Sequence, residues 1–326
     1  MLIFGPVPSR RLGRSLGINN IPPKSCTYSC SYCQVGPTHH TEVIPHAFYA
    51  PVRILQEVER SLSRLREHGE RVDYLTFVPD GEPTLDANLG ETIERLKPLG
   101  IPVAVISNGS LLSRDGVRDC LDKADWVSVK IDAIDSTTWR RVNRPDPALD
   151  HHAVLEGMLS FASSFQGTLA TETMLVEGIN DGDANADALG GFLERMAPSR
   201  AYLSVPTRPP AEPGAKPPQA QRLNRFFQIV RQYVDNLELL SGYEGDAFAF
   251  TGHLAEDLLS IAAVHPLRES AVQALVERSD EDWSVVEKLV SDGLLIRTVF
   301  AGHWFYVRRL RPEAGPAEQS AVEHIS

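Results

Sequence analysis

The chain has 326 residues, of which 42% are hydrophobic and 23% charged, and its net charge is −11. This composition is typical of a globular protein with one large domain or two moderate ones. The sequence contains no run of about 18 apolar residues, so no membrane span is expected. The first residues lack the basic and apolar regions of a secretory signal. The acidic balance disfavours nucleic acid as a partner, because such partners require a basic face. The candidate basic patch consists of Arg10, Arg11, Arg14 and Lys24.

Hydrophobic periodicity predicts strands alternating with helices up to about residue 235. The helices show apolar residues three or four positions apart, and we expect them at about 51–67, 86–98, 149–164, 184–196 and 219–235. Short apolar segments predict six strands, at 16–21, 72–78, 101–106, 126–131, 168–176 and 201–205. Such alternation is typical of a parallel α/β fold. Periodicity leaves open whether the sheet closes into a barrel or remains an open arc.

The predicted strand 126–131 has one polar face. Ser128, Lys130 and Asp132 point to the same side, and the residues between them are apolar. Parallel strands that are covered on both sides are normally apolar throughout. The polar face therefore predicts a cavity that holds ligand or water, at the carboxyl-end rim where parallel barrels bind ligands. A Lys130–Asp132 ion pair at a sheet edge is the alternative interpretation.

Three cysteines occupy one short loop after the first predicted strand. Cys26, Cys30 and Cys33 are spaced so that three thiolates can converge on a single metal centre. A cluster of four irons would then keep one iron without a protein ligand, and an open position of this kind is where metal chemistry occurs. The alternative is a structural zinc site completed by His39 or His40.

This CxxxCxxC spacing, with Tyr32 before the last cysteine, resembles the signature loop of the radical S-adenosylmethionine (radical SAM) enzymes. The flanking segments 8–13 and 34–36 resemble the branch related to the synthases of the tRNA base wyosine. The resemblance implies a partial barrel of six strand–helix units, one [4Fe–4S] cluster and S-adenosylmethionine as cofactors. It also implies an electron donor such as flavodoxin or ferredoxin, and reduced cysteines favour a cytoplasmic location.

The same resemblance implies roles for residues at the strand ends. Glu82 matches the family glutamate that accepts hydrogen bonds from the amino group of S-adenosylmethionine, although Asp80 replaces the usual first glycine of that motif. The other residues are assigned by their positions. Ser107 and Asn108 would hold the methionine carboxylate or the ribose, and Asp132 a ribose hydroxyl. Tyr32 and Glu177 would lie on the adenine side, and Lys130 and Arg208 are assigned to catalysis. Arg208 belongs to the proline-rich segment 207–218, which we interpret as an ordered lid.

The organisation expected from the sequence is a barrel over 1–240, a winged-helix-like domain over 246–311 and a disordered tail over 312–326. The third helix of the second domain, at about 281–292, is acidic, so docking of a peptide or protein is favoured over DNA binding. Packing on the catalytic domain is the alternative.

Three functions compete on the sequence alone. The first is a one-cluster radical SAM enzyme that abstracts hydrogen from a small molecule, peptide or protein. The second is a wyosine-type enzyme that modifies a tRNA base, with Lys130 as the lysine near pyruvate, and the charge balance disfavours it. The third is a zinc-stabilised winged-helix binding protein.

Overall fold

The computed structural model describes residues 2–240, 248 and 250–309. Its main feature is an eight-stranded sheet in which each strand lies beside its neighbour in sequence. The strands are β1 (Ile3–Ser9), β2 (Gly13–Ile18), β3 (Tyr74–Phe77), β4 (Val103–Ser107), β5 (Trp126–Lys130), β6 (Thr168–Met174), β7 (Arg200–Ser204) and β8 (Leu237–Leu240). β1 pairs antiparallel with β2, and all later pairs are parallel. β1 and β8 are the two edges, so the sheet is an open arc.

Seven helices connect or follow the parallel strands. They are α1 (Pro51–Glu67), α2 (Leu89–Leu96), α3 (Asp115–Leu121), α4 (Ser136–Val142), α5 (His151–Ser164), α6 (Asp183–Met196) and α7 (Ala220–Val230). α1 illustrates why they form: Ile54, Val58, Leu62 and Leu65 recur on one face and are buried. Right-handed crossovers place such helices on one side of the sheet.

The sheet has two differently filled faces. The helix-facing side belongs to the main apolar core and includes Val127 and Val129 of β5. The opposite, concave side carries a smaller cluster near the starts of the strands, with Trp126 and Tyr202 among its members. This cluster closes the amino end of the arc, so the space left for ligands lies at the carboxyl ends.

The partial barrel predicted from the sequence is confirmed, and β2–β7 correspond to the six predicted strands. The sequence does not predict β1, because Gly5, Pro6 and Pro8 interrupt it and proline is restricted to sheet edges. It also does not predict β8, which has only four residues. Among the described residues, no helix combines the length and apolar character needed to cross a membrane.

In its described residues, the C-terminal unit contains three helices and a small antiparallel sheet. Its elements are α8 (Leu254–Val264), β9 (Leu267–Arg268), α9 (Glu269–Glu277), α10 (Ser284–Ser291), β10 (Leu295–Phe300) and β11 (His303–Arg308), with strand order β10-β11-β9. The winged-helix assignment and the division into domains remain predictions. The expected boundary at 241–246 and the tail 312–326 lie outside the described residues.

The C-terminal unit packs directly on the edge of the arc. α8 contacts β1, and Val7 of β1 lies against the apolar core of the unit. Glu70 links the arc to the C-terminal unit: its carboxylate oxygens accept hydrogen bonds from Arg14 of β2 at 2.7 Å and from Arg278 of the C-terminal unit at 2.6 Å. The unit is therefore fixed against the β1 edge of the arc.

Candidate functional site

A cavity of about 310 Å³ lies on the concave side of the arc at the strand ends. All three cysteines of the loop line it, together with residues that follow β3, β4 and β7 and with side chains of β5 and β6. The C-terminal unit contributes His265, and the segment after β7 contributes Arg208. Pockets of this size at strand ends are typical of small-molecule sites.

The cysteine loop is fastened to β3 by a close backbone approach. Gly81 lies so near the Ser25 carbonyl that a Cβ at position 81 would be 1.9 Å from its oxygen. The Glu82 N–H donates to this same oxygen at 2.9 Å, and the Lys24 N–H donates to the Asp80 carbonyl at 2.7 Å. Only glycine allows this contact, so Gly81 sets the distance between the loop and the sheet.

A second contact fastens the middle of the loop to the end of α4. The Ser29 N–H donates to the Asn143 carbonyl at 3.1 Å, and the Ser31 N–H donates to the Val142 carbonyl at 3.0 Å. Tyr28 packs edge-on against Trp139 with ring centroids 5.9 Å apart. The three cysteines are thus presented by a loop that the barrel holds on two sides.

Each sulfur of the loop has a nitrogen donor from a different part of the chain. Asn108 Nδ2 lies 3.8 Å from Cys26 Sγ, and Asn143 Nδ2 lies 3.5 Å from Cys30 Sγ. Lys24 Nζ lies 4.0 Å from Cys33 Sγ. N–H donors of this kind favour thiolate over thiol and tune metal–sulfur bonding.

Without metal, the sulfurs of Cys26 and Cys30 favour the protonated form. Burial, together with the nearby Asp132 and Cys33, raises the pKa of Cys30 to about 12. Burial likewise raises the pKa of Cys26 well above its usual value, with Cys30 adding to the effect. The three sulfurs are close enough to repel one another as anions, so only a cation bound between them makes three thiolates stable.

The donor set fits an iron–sulfur cluster better than a single ion. Three soft sulfur ligands on one loop, each with an N–H donor, match cluster ligation. In the described part of the chain, no three or more His, Cys, Asp or Glu side chains are grouped to hold one metal ion. His39 and His40 are exposed and do not line the cavity. Neither histidine that the zinc interpretation would use as a fourth ligand lies with the cysteines at the cavity.

Glu82 lines the cavity and is only 1% exposed. Its Oε1 accepts from Thr84 N–H, Thr84 Oγ1 and Ser107 Oγ at 3.1, 2.6 and 2.7 Å. Its Oε2 accepts from the Asn108 N–H at 2.7 Å. A carboxylate offers about four lone-pair sites, so Oε2 retains capacity for another donor. Burial raises the pKa of Glu82, whereas these hydrogen bonds lower it.

Asp132 lies behind Tyr32 and does not line the cavity itself. It accepts hydrogen bonds from Tyr32 Oη, from Asn143 Nδ2 at 2.6 Å and from the Met174 N–H at 2.8 Å. Tyr32 lines the cavity and is thereby oriented by Asp132. The ribose role predicted for Asp132 stays a prediction, and the geometry makes it a support for Tyr32 and Asn143.

The predicted polar face of β5 ends in a buried ion cluster. Lys130 Nζ pairs with Glu172 Oε1 at 3.0 Å, and Arg11 pairs with the other oxygen of Glu172. Burial alone would raise the pKa of Glu172, but Arg11 and Lys130 hold it well below its usual range. Burial lowers the pKa of Lys130, but the attractions to Glu172 and Asp132 together outweigh burial, so the pKa is raised. The alternative Lys130–Asp132 edge pair is wrong, since β5 has partners on both sides.

The proline-rich segment 207–218 packs on the cysteine loop. The Glu212 N–H donates to the Ser31 carbonyl at 3.1 Å, and Ala215 is buried against Tyr32. Arg208 lines the cavity, and its Nη1 donates to Gln34 Oε1 at 3.0 Å. Glu177 is exposed and outside the cavity lining, so its assignment to the adenine side also stays a prediction.

Asp80 provides a pH-dependent prediction. Burial raises the pKa of Asp80 to about 7, although Lys24 and Arg308 lower it. Between about pH 4 and pH 7 the folded protein keeps a proton that the unfolded chain releases, so this carboxyl destabilises the fold as the pH rises. We expect Asp80→Asn to remove a slope of about 1.4 kcal/mol per pH unit across that window. Urea unfolding of both proteins at several pH values measures it, and equal slopes would contradict it.

Comparison with known proteins places the chain in a defined context. A sequence model described as the Radical SAM superfamily matches residues 20–188. A UPF0026 protein of Methanocaldococcus jannaschii is 40% identical over 312 residues, or 95% of this chain and 97% of that protein. An S-adenosylmethionine-dependent nucleotide dehydratase of Flammeovirga pacifica is 27% identical and covers 50% of this chain and 59% of its own length.

Among solved structures, TYW1 with a bound lysine–pyruvate adduct is similar, with a TM-score of 0.52 and 16% identity. The match covers 67% of this chain and 73% of that chain. At this level of identity the likeness concerns the fold, and it agrees with the open arc described above.

Proposed function

Since this chain belongs to the radical SAM superfamily, we propose that it abstracts hydrogen from a small molecule held in the cavity beside the cysteine loop. The enzymes of this superfamily use a [4Fe–4S] cluster and S-adenosylmethionine. One observation supports this site for the two cofactors most directly: three sulfurs and the carboxylate of Glu82 border the same cavity. When bound, the cluster supplies the electron that splits S-adenosylmethionine into methionine and a 5′-deoxyadenosyl radical.

In this proposal the chain's own residues bind and orient. Cys26, Cys30 and Cys33 hold the cluster, and their N–H donors stabilise the thiolates. Glu82 Oε2 accepts from the amino group of S-adenosylmethionine, because it has fewer donors than Oε1. Tyr32, fixed by Asp132, forms one wall.

The arrangement of the cavity favours a small substrate over a large one. His265 of the C-terminal unit and residues 205–208 after β7 also border the cavity, so several parts of the chain enclose it and limit the room for a large substrate. The named substrate class of one relative, a nucleotide, is also a small molecule. A peptide or protein docking at the C-terminal unit remains a separate proposal, supported by the exposed side chains of Val299 and Trp304.

The tRNA-modifying alternative has less support. The net charge is −11, and Lys130 is held as an ammonium by Glu172. A lysine that forms an adduct with a carbonyl must lose its proton, which this ion pair opposes.

The proposed function is tested on protein isolated and reconstituted without oxygen. We expect iron and sulfide to bind, and 5′-deoxyadenosine to form from S-adenosylmethionine once a reductant such as reduced flavodoxin or ferredoxin is added. Failure to form 5′-deoxyadenosine with a full complement of iron would refute the proposal. Binding of total tRNA at low and high salt separates the alternative, because phosphate contacts weaken steeply with salt.

A further inference from the structure

His265 is a buried polar group whose contacts leave one ring nitrogen unexplained. It follows α8, is 6% exposed and packs edge-on against Phe248 with ring centroids 5.1 Å apart. Its Nε2 is buried and makes no hydrogen bond within the described part of the protein. Buried polar atoms without a partner are rare in folded proteins. Because His265 also lines the cavity, a molecule bound in the cavity is the natural partner.

His265 lies beside Arg208 and is uncharged. Burial lowers the pKa of His265 well below its usual value, and the nearby guanidinium of Arg208 lowers it further. Arg208 is oriented by its hydrogen bond to Gln34, at 3.0 Å. A neutral imidazole N–H next to a guanidinium offers hydrogen bonds and positive charge to the same ligand group, which suits an anion.

The charges around the cavity also favour an anionic ligand. Its lining contains five basic residues, Arg10, Arg11, Lys24, Lys130 and Arg208, against three acidic ones, Asp80, Glu82 and Glu172. A [4Fe–4S]²⁺ core with three thiolates carries one negative charge, and S-adenosylmethionine carries one net positive charge, so these two cofactors leave the balance unchanged. A cavity with excess positive charge in a chain of net charge −11 attracts negative ligands.

We propose that the substrate carries an anionic group, phosphate or carboxylate, and that His265 and Arg208 bind this group at the end of the cavity nearest the C-terminal unit. This inference builds on the proposed function and adds the chemical class of the substrate. It also gives the C-terminal unit a role: the unit supplies a substrate-binding residue.

The test uses the holoenzyme with its cluster oxidised and S-adenosylmethionine bound, so that no turnover begins. Pyrophosphate and malonate, as phosphate and carboxylate probes, are titrated calorimetrically at constant ionic strength. We expect saturable binding of at least one probe, and the preferred probe identifies the anionic group. We expect His265→Phe, which keeps the ring against Phe248, and Arg208→Gln each to weaken that binding at least tenfold.

Two exposed residues provide matched controls. His152→Phe and Arg195→Gln change the same residue types on the surfaces of α5 and α6, away from the cavity lining, and should bind the probe as the parent does. Circular dichroism melting identifies a cavity variant that fails to fold. If either His265→Phe or Arg208→Gln fails, the binding measured for the other variant tests the proposal. The inference is overturned if neither probe binds, if the cavity variants bind normally, or if the controls weaken equally. Formation of 5′-deoxyadenosine needs neither probe, so its presence without anion binding refutes this inference alone.

Discussion

Replacing any one of Cys26, Cys30 and Cys33 by alanine is expected to abolish both cluster binding and formation of 5′-deoxyadenosine. Two remaining sulfurs leave two irons of a four-iron cluster without protein ligands, and no other cysteine among the described residues lines the cavity. In the described structure the loop is flanked by the exposed His39 and His40 rather than by another sulfur. Iron and sulfide analysis after anaerobic reconstitution, followed by product analysis, measures the loss.

Cys120 supplies the matched control for this experiment. It lies on α3 and does not line the cavity. Cys120→Ala should keep the iron content and product yield of the parent protein. Retention of a full cluster in two or more of the three loop variants would show that the ligands are elsewhere.

The second large effect is expected from one added methyl group. Gly81→Ala places a Cβ 1.9 Å from the Ser25 carbonyl oxygen and 2.9 Å from Ile21 Cδ1. No side-chain rotation relieves a clash with backbone, so the loop must move away from β3. It then loses the Glu82-to-Ser25 and Lys24-to-Asp80 hydrogen bonds. We expect the free energy of unfolding to fall by about 3–5 kcal/mol, from overpacking and two lost hydrogen bonds.

Gly116→Ala is the control for this substitution. Gly116 lies within α3, and a Cβ there meets no atom within 4 Å. Alanine in an exposed helix position should raise stability by about 0.5–1 kcal/mol. Urea unfolding and iron uptake are measured for both variants. A Gly81→Ala protein with the parent's stability and iron content would show that the loop does not depend on this approach.

The features that could be predicted from the sequence have local signals. The parallel strands show as short apolar runs between helices, and the proposed cluster ligands as three cysteines within eight residues. The polar face of β5 correctly predicted Lys130 as a cavity residue, because strand side chains alternate with a fixed period, although Ser128 and Asp132 on the same face do not line the cavity. The same alternation in β6 places Glu172 on the inner face opposite Lys130, so this missed residue had a readable signal.

Other parts of the site depend on contacts between distant segments. Asn143 follows α4 and reaches both Cys30 and Asp132, and His265 comes from the C-terminal unit. Nothing in their local sequence distinguishes them from residues that serve packing. Their positions follow from how whole elements dock, which hydrophobic periodicity does not determine.

The three nitrogen donors to the loop sulfurs also bear on the stage of folding at which the site is completed. Lys24, Asn108 and Asn143 come from the loop itself, from the end of β4 and from the end of α4. The contacts of Asn108 and Asn143 with the sulfurs span 82 and 113 residues, so they form only after the intervening chain has closed its loops. We therefore expect the sulfurs to gain these two donors only when β2–β5 and α4 are in place, and metal to be inserted into an already folded half-barrel.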